Sequence, residues 1–124
     1  MLEGDVAAQD QLEGPGKRVS SRLTIAETAR AIVRARAKGR MVAEEELAAL
    51  AWLREFEERC DLLDVTAEVL ERAGRPFPVE PIRTLDAIHL ATAELLGDTP
   101  QLVTIVTRDR RLGDNARAMG YAVG

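Results

Sequence analysis

Aromatic residues are scarce in this 124-residue chain, which holds only Trp52, Phe56, Phe77 and Tyr121. So few rings cannot build a platform that stacks several bases, and the core must be aliphatic. There is one cysteine, Cys60, and one histidine, His89. A lone cysteine cannot form an intrachain disulfide, and together the two cannot supply a Cys- or His-rich zinc site. Cys60 reads as a small buried hydrophobe, and His89 as a packed, hydrogen-bonded core residue rather than a general base. Long hydrophobic runs are lacking too. The uncharged apolar stretch 102–107 is strand-sized and far short of a bilayer crossing, so no membrane partner is expected. The N-terminus opens Met-Leu-Glu-Gly-Asp, without a basic n-region or an apolar h-region, which makes the cytoplasm the expected compartment.

What is present fits one globular domain over residues 1–124, with 46% hydrophobic and 31% charged residues. The net charge of -4 argues against a broad basic surface that grips nucleic acid. It is compatible with a local basic rim beside an acidic site. The charges are unevenly spread. Arg30, Arg34, Arg36, Lys38 and Arg40 form a stretch without an acid, whereas 44–71 carries ten acids against Arg54 and Arg59. Arg108, Arg110, Arg111 and Arg117 make the C-terminal end basic again. Such runs either are solvated helix faces or, for the two basic stretches, flank a phosphate-bearing substrate.

Periodicity and punctuation predict a weak helix over 1–13, a break at Gly14-Pro15-Gly16 and a very short strand at 18–20. Ser20 or Ser21 then caps a helix from Arg22 to about Lys38, with Leu23, Ala26, Ala29, Ile32 and Val33 as its apolar set and Gly39 closing it. A second helix is expected at 43–59, with Glu44, Glu45 and Glu46 in its first turn and a stripe of Leu47, Leu50, Leu53 and Phe56. A strand at 61–65 and a short helix at 66–73 follow. Three prolines, Pro76, Pro78 and Pro81, make 75–83 an extended loop. Thr84 caps a helix to about Leu96, residues 102–107 read as a buried parallel strand, and a last helix spans about 110–119 before a terminal strand at 121–123. Helices alternating with short strands predict an α/β layer fold.

Three acids stand out on this map. Glu27 lies in the early turns of one helix, Asp86 in the first turn of another, and Asp109 between the apolar strand and the last helix. Strand C-termini and helix N-termini line one crevice in open α/β sheets, so the three can converge. Converging carboxylates either share a proton or hold a cation, and all-oxygen donors select Mg²⁺ or Mn²⁺ over zinc. Each acid also has a purely structural reading: Glu27 and Asp86 as complements to helix dipoles, Asp109 as a helix cap.

At these positions the chain resembles the PIN-domain family, and within it the VapC-type ribonuclease toxins of bacterial toxin–antitoxin pairs. The resemblance is carried by Ser20-Ser21-Arg22-Leu23-Thr24-Ile25-Ala26-Glu27, by Arg83-Thr84-Leu85-Asp86-Ala87-Ile88-His89-Leu90-Ala91-Thr92-Ala93, and by Val106-Thr107-Arg108-Asp109-Arg110-Arg111-Leu112 through Ala118-Met119-Gly120-Tyr121. The middle segment is the most specific, and the match covers about residues 17–123.

The resemblance implies a three-layer α/β/α domain with a mostly parallel central sheet. It implies metal-dependent endonucleolytic cleavage of RNA, with Mg²⁺ or Mn²⁺ held by Glu27, Asp86 and Asp109. Thr107 then supports the site through its hydroxyl, or is an ordinary strand-end residue. The implied partners are RNA, a cognate antitoxin and a second copy of the chain in a homodimer. The competing function is a catalytically silent PIN-fold protein that binds RNA or an antitoxin. The family's first strand, which ends in an aspartate, has no counterpart here, since residues 1–16 resemble the family's first helix. The chain as given is therefore expected to begin after that strand and to be inactive or nearly so, with Asp5 and Asp10 no substitutes for the aspartate.

Overall fold

A computed structural model describes residues 19–97 and 103–124. The expected helix over 1–13, the Gly-Pro-Gly break, Arg18 and Leu102 lie outside the described residues. Among the described residues are five helices and four short strands, divided between two compact units, the first ending at Asp64 and the second beginning at Val65. None of these helices is long and apolar enough to cross a membrane.

In the first unit, strand β1 (Val19–Ser21) leads directly into helix α1 (Arg22–Ala37). The start is fixed by Ser21, whose hydroxyl accepts from the Leu23 amide at 3.1 Å, so of the two expected caps it is the second serine that serves. Gly39 follows the helix at φ +70, a conformation that side chains with a Cβ avoid. Helix α2 (Ala43–Arg59) carries its three glutamates in the first turn as expected. One of them, Glu45, reaches back to accept from the Val42 amide at 2.9 Å, tying down a donor that the helix leaves unused. Strand β2 (Asp61–Leu63) then pairs parallel with β1, Val19 opposite Asp61 and Ser21 opposite Leu63.

The buried face of α2 keeps Leu53 and Phe56 of the predicted stripe but not Leu47 and Leu50. Ala49 and Leu53 are buried, and Trp52 and Phe56 are half-buried with their rings stacked at 5.5 Å. Leu47 is 67% exposed and Leu50 37%. The cause lies in the partner helix. Ala49 joins Ile32, Met41 and Ala35 in a small cluster, and a small residue at 49 lets the helices approach there. Positions 49, 53 and 56 also satisfy helical spacing, and periodicity alone does not choose between them and the Leu47–Leu50 side. On α1 the same selection buries Ile32 and leaves Val33 49% exposed.

In the second unit, helix α3 (Ala67–Ala73) is capped by Thr66, which accepts from the Val69 amide at 3.2 Å. Helix α4 (Thr84–Leu95) packs on α3 and buries Ala87, Ile88, Leu90, Ala91 and Thr92, a face wide enough to make it the centre of this unit. Arg83, not Thr84, is its N-cap, and Gly97 follows its end at φ +83. Strand β3 (Thr104–Ile105) pairs parallel with β4 (Ala122–Val123), and helix α5 (Arg110–Ala118) connects them. The strand predicted over 102–107 is shorter and wetter than expected: exposure alternates along 103–109, and Val106 is 37% exposed. A run of apolar residues set a strand's position but not its second buried face. The expected parallel α/β architecture holds, with the described strands arranged as two parallel pairs.

Candidate metal centre

The loop 74–83 has no helix or strand, yet it is firmly anchored. The Glu80 carboxylate accepts from two of its amides, Phe77 at 2.7 Å and Ile82 at 3.0 Å. Asn115, fully buried on α5, accepts from the Val79 amide at 2.7 Å and donates to the Val79 carbonyl at 2.8 Å and the Arg111 carbonyl at 3.1 Å. The Arg111 guanidinium donates to the Pro81 carbonyl. Loop and helix α5 therefore form one scaffold. The loop runs into α4, which presents Asp86, and α5 begins at Asp109.

Asp109 does what an N-cap does: its Oδ1 accepts from the Leu112 amide at 2.8 Å. Its own amide donates to the Thr107 hydroxyl at 3.1 Å, so Thr107 fixes the turn on which this acid sits. Asp86 lies in the first turn of α4, where the unpaired amides favour an anion. The two carboxylates meet on one cation. Arg83 Nε lies 3.4 Å from Asp86 Oδ2, and Arg83 Nη2 lies 3.4 Å from Asp109 Oδ2. The acids are 16% and 35% exposed, and the arginine side chain 80%.

Asp86 and Asp109 are thus brought together as expected, and the cap reading of Asp109 holds alongside. Glu27 is half-buried on α1, in the other unit. Among the described residues no group of three or more Asp, Glu, His or Cys side chains forms a metal-holding cluster. His89 is half-buried on α4, and Cys60 is half-buried at the end of α2 without a disulfide. Arg108, Arg110 and Arg111 are exposed on either side of Asp109.

Two carboxylates already arranged about a positive charge are a hard, all-oxygen donor pair, and that chemistry suits a divalent cation. The guanidinium of Arg83 takes the electrostatic part such an ion would play. Sequence reasoning assigned no role to Arg83, although its place three residues before Asp86, at a helix start, is ion-pair spacing. Asn115 was also missed. Its signal was a polar residue on the face that Leu112 and Ala116 make apolar.

Parallel strands alternating with helices define an α/β protein, in which acids at two helix N-termini meet one guanidinium. The PIN-domain family model matches residues 2–118, and the chain belongs to that family. Its curated relatives are ribonucleases from Mycobacterium tuberculosis. It is similar to Ribonuclease VapC46 of strain ATCC 25618 / H37Rv, with 44% identity over 106 residues, 86% of this chain and 72% of that protein. Ribonuclease VapC45 of strain CDC 1551 / Oshkosh is 36% identical over 122 residues, 97% of this chain and 82% of the relative. Ribonuclease VapC35 is 40% identical over 65 residues, covering 52% of this chain and 47% of its own length. No solved structure matches the chain significantly.

Proposed function

We propose that this protein is a divalent-metal-dependent endoribonuclease that acts as the toxin of a toxin–antitoxin pair. The observation that carries the reading is the convergence of Asp86 and Asp109 on one guanidinium, in a PIN-domain chain whose relatives are named ribonucleases. Asp86 and Asp109 would hold the cation, Mg²⁺ or Mn²⁺; Glu27 is the further acid that the family motif implies. When bound, such an ion supplies an activated water and a Lewis-acid contact to phosphodiester oxygens.

The chain's own residues account for the rest. Asp109 commits Oδ1 to the backbone, which fixes the direction of Oδ2. Thr107 holds the turn, and Asp86 sits in the first turn of helix α4, whose N-terminal end favours an anion. Arg108 and Arg110 are placed to meet phosphates entering beside Asp109. The substrate is RNA, and the protein partners implied by the resemblance are an antitoxin and a second copy of the chain.

The second reading, a PIN-fold protein that binds RNA without cutting it, draws on the lack of a three-ligand cluster among the described residues. One experiment separates the two. RNA incubated with a form of the protein that carries the complete site should be cut only in the presence of Mg²⁺ or Mn²⁺, and Asp86→Asn should abolish cutting while its melting temperature stays close to wild type. The amide keeps the shape but removes the charge that offsets the metal. Cleavage undiminished in the variant, or in excess chelator, would overturn the metal mechanism. Binding without cleavage under all metal conditions would favour the silent binder.

A further inference from the structure

We infer that Arg83 is an exchangeable counter-ion of the Asp86–Asp109 pair, neutralising the two acids when no metal is bound and competing with a divalent cation for them. The inference rests on the reading of these acids as metal ligands.

Its first support is the geometry of the fork. Two different guanidinium nitrogens face two different carboxylates, Nε toward Asp86 and Nη2 toward Asp109. Side by side, two carboxylates repel, and a charge between them relieves the repulsion. At 3.4 Å both contacts are longer than the 2.7–2.9 Å of a strong charge-assisted hydrogen bond. The guanidinium neutralises the pair without being locked to it.

The second support is the difference in freedom between the partners. The acids are the more enclosed partners: Asp109 is held by the Leu112 amide, and Asp86, in the first turn of α4, is 16% exposed. The backbone of Arg83 is fixed, because its carbonyl accepts from the Ala87 amide at 2.9 Å. Its side chain, 80% exposed, is free to swing into water at little cost. Another arginine in the same unit shows what a structural role looks like. Arg72 is 15% exposed, pairs with Glu94 at 2.6 Å and lies 4.0 Å above the Phe77 ring. Arg83 has the opposite character: a fixed pivot with a mobile charge. A divalent cation seated between the two acids would take over its electrostatic part and displace it.

The test compares wild type, Arg83→Gln, Arg83→Lys and Asp86→Asn by Mn²⁺ titration in a calorimeter and by thermal melting with and without Mn²⁺. Removing the competitor should tighten Mn²⁺ binding in Arg83→Gln on the order of fivefold, the scale of losing two exposed ion pairs. The Mn²⁺-induced rise in melting temperature should be larger than in wild type. Arg83→Lys keeps the charge but not the fork, and should fall between the two. Asp86→Asn should weaken Mn²⁺ binding severely. Mn²⁺ binding by Arg83→Gln where wild type shows none would uphold the competition in its strongest form. Equal or weaker Mn²⁺ binding in Arg83→Gln, with wild-type binding that Asp86→Asn removes, would overturn the role of Arg83 and leave the metal ligands standing. Absence of binding in every variant, or binding indifferent to Asp86→Asn, would overturn both.

Discussion

Gly113 sits inside α5 on its buried side, where a glycine weakens a helix by leaving the unfolded chain extra freedom. A methyl group there would meet Arg117 Nη1 at 3.5 Å, Val123 Cγ1 at 3.7 Å and Thr107 Cγ2 at 3.8 Å, all ordinary contacts. Gly113→Ala should therefore stabilise the protein by about 0.5–1 kcal/mol, read as a higher urea midpoint. A lower midpoint would mean that the backbone cannot accept even that contact. Single residues were also the most legible part of the sequence. Ser21, Thr66 and Asp109 each accept from an amide at a helix start, because a short polar side chain before an apolar run has few other uses. Gly39, Gly97 and Gly120 all take the positive φ that ends a helix. Arg83 was not legible, since nothing local says that a solvent-facing arginine will bridge acids 26 positions apart in one case and three in the other.

At the scale of elements, the clamp between the loop 74–83 and helix α5 hangs on Asn115. Its side chain satisfies both backbone groups of Val79, and it is fully buried. Truncation removes the side-chain partner of both groups. Asn115→Ala should cost about 2–4 kcal/mol in urea denaturation, at one to three for each orphaned group after partial relaxation. A loss below 1 kcal/mol would show that water replaces the side chain. Helix boundaries were legible at this scale, and helix faces were not. On α2 the leucines at 47 and 50 looked like core, but Ala49 faces the cluster with Ile32. A helix with apolar residues on more than one side offers several stripes, and the shape of the partner decides which is buried. The two-residue length of β3 was hidden for a related reason: an apolar run says nothing of how far its neighbour extends.

For the molecule as a whole, charge is the property that reaches furthest. The net charge of -4 hides a basic rim at 108–111 and a basic stretch at 30–40. Part of the latter is paired internally, Arg36 with Glu46 at 3.8 Å. In an Asp86→Asn background, which separates binding from cutting, replacing Arg108 and Arg110 by glutamine should weaken binding of a single-stranded RNA. The slope of log Kd against log salt should fall by about 0.7 for each phosphate contact removed. An unchanged slope would return these arginines to the solvated surface. The candidate site was half legible at this scale. Motif spacing picked out Asp86 and Asp109, and folding brought them to one cation. What spacing could not convey is the loop anchored on α5 that holds Asp86 and Asp109 on one scaffold.

The Val79 amide has a further consequence, expressed in time. It belongs to a proline-rich segment with no ladder or helix of its own, where amides ordinarily trade their protons with water freely. Here the proton points at a buried amide oxygen on α5. Exchange then waits for the helix to part from the loop, an event slower by orders of magnitude than the nanosecond motions of free loops. The approach to Asp86 keeps the clock of a helix, while the arginine at its end keeps the clock of a surface side chain.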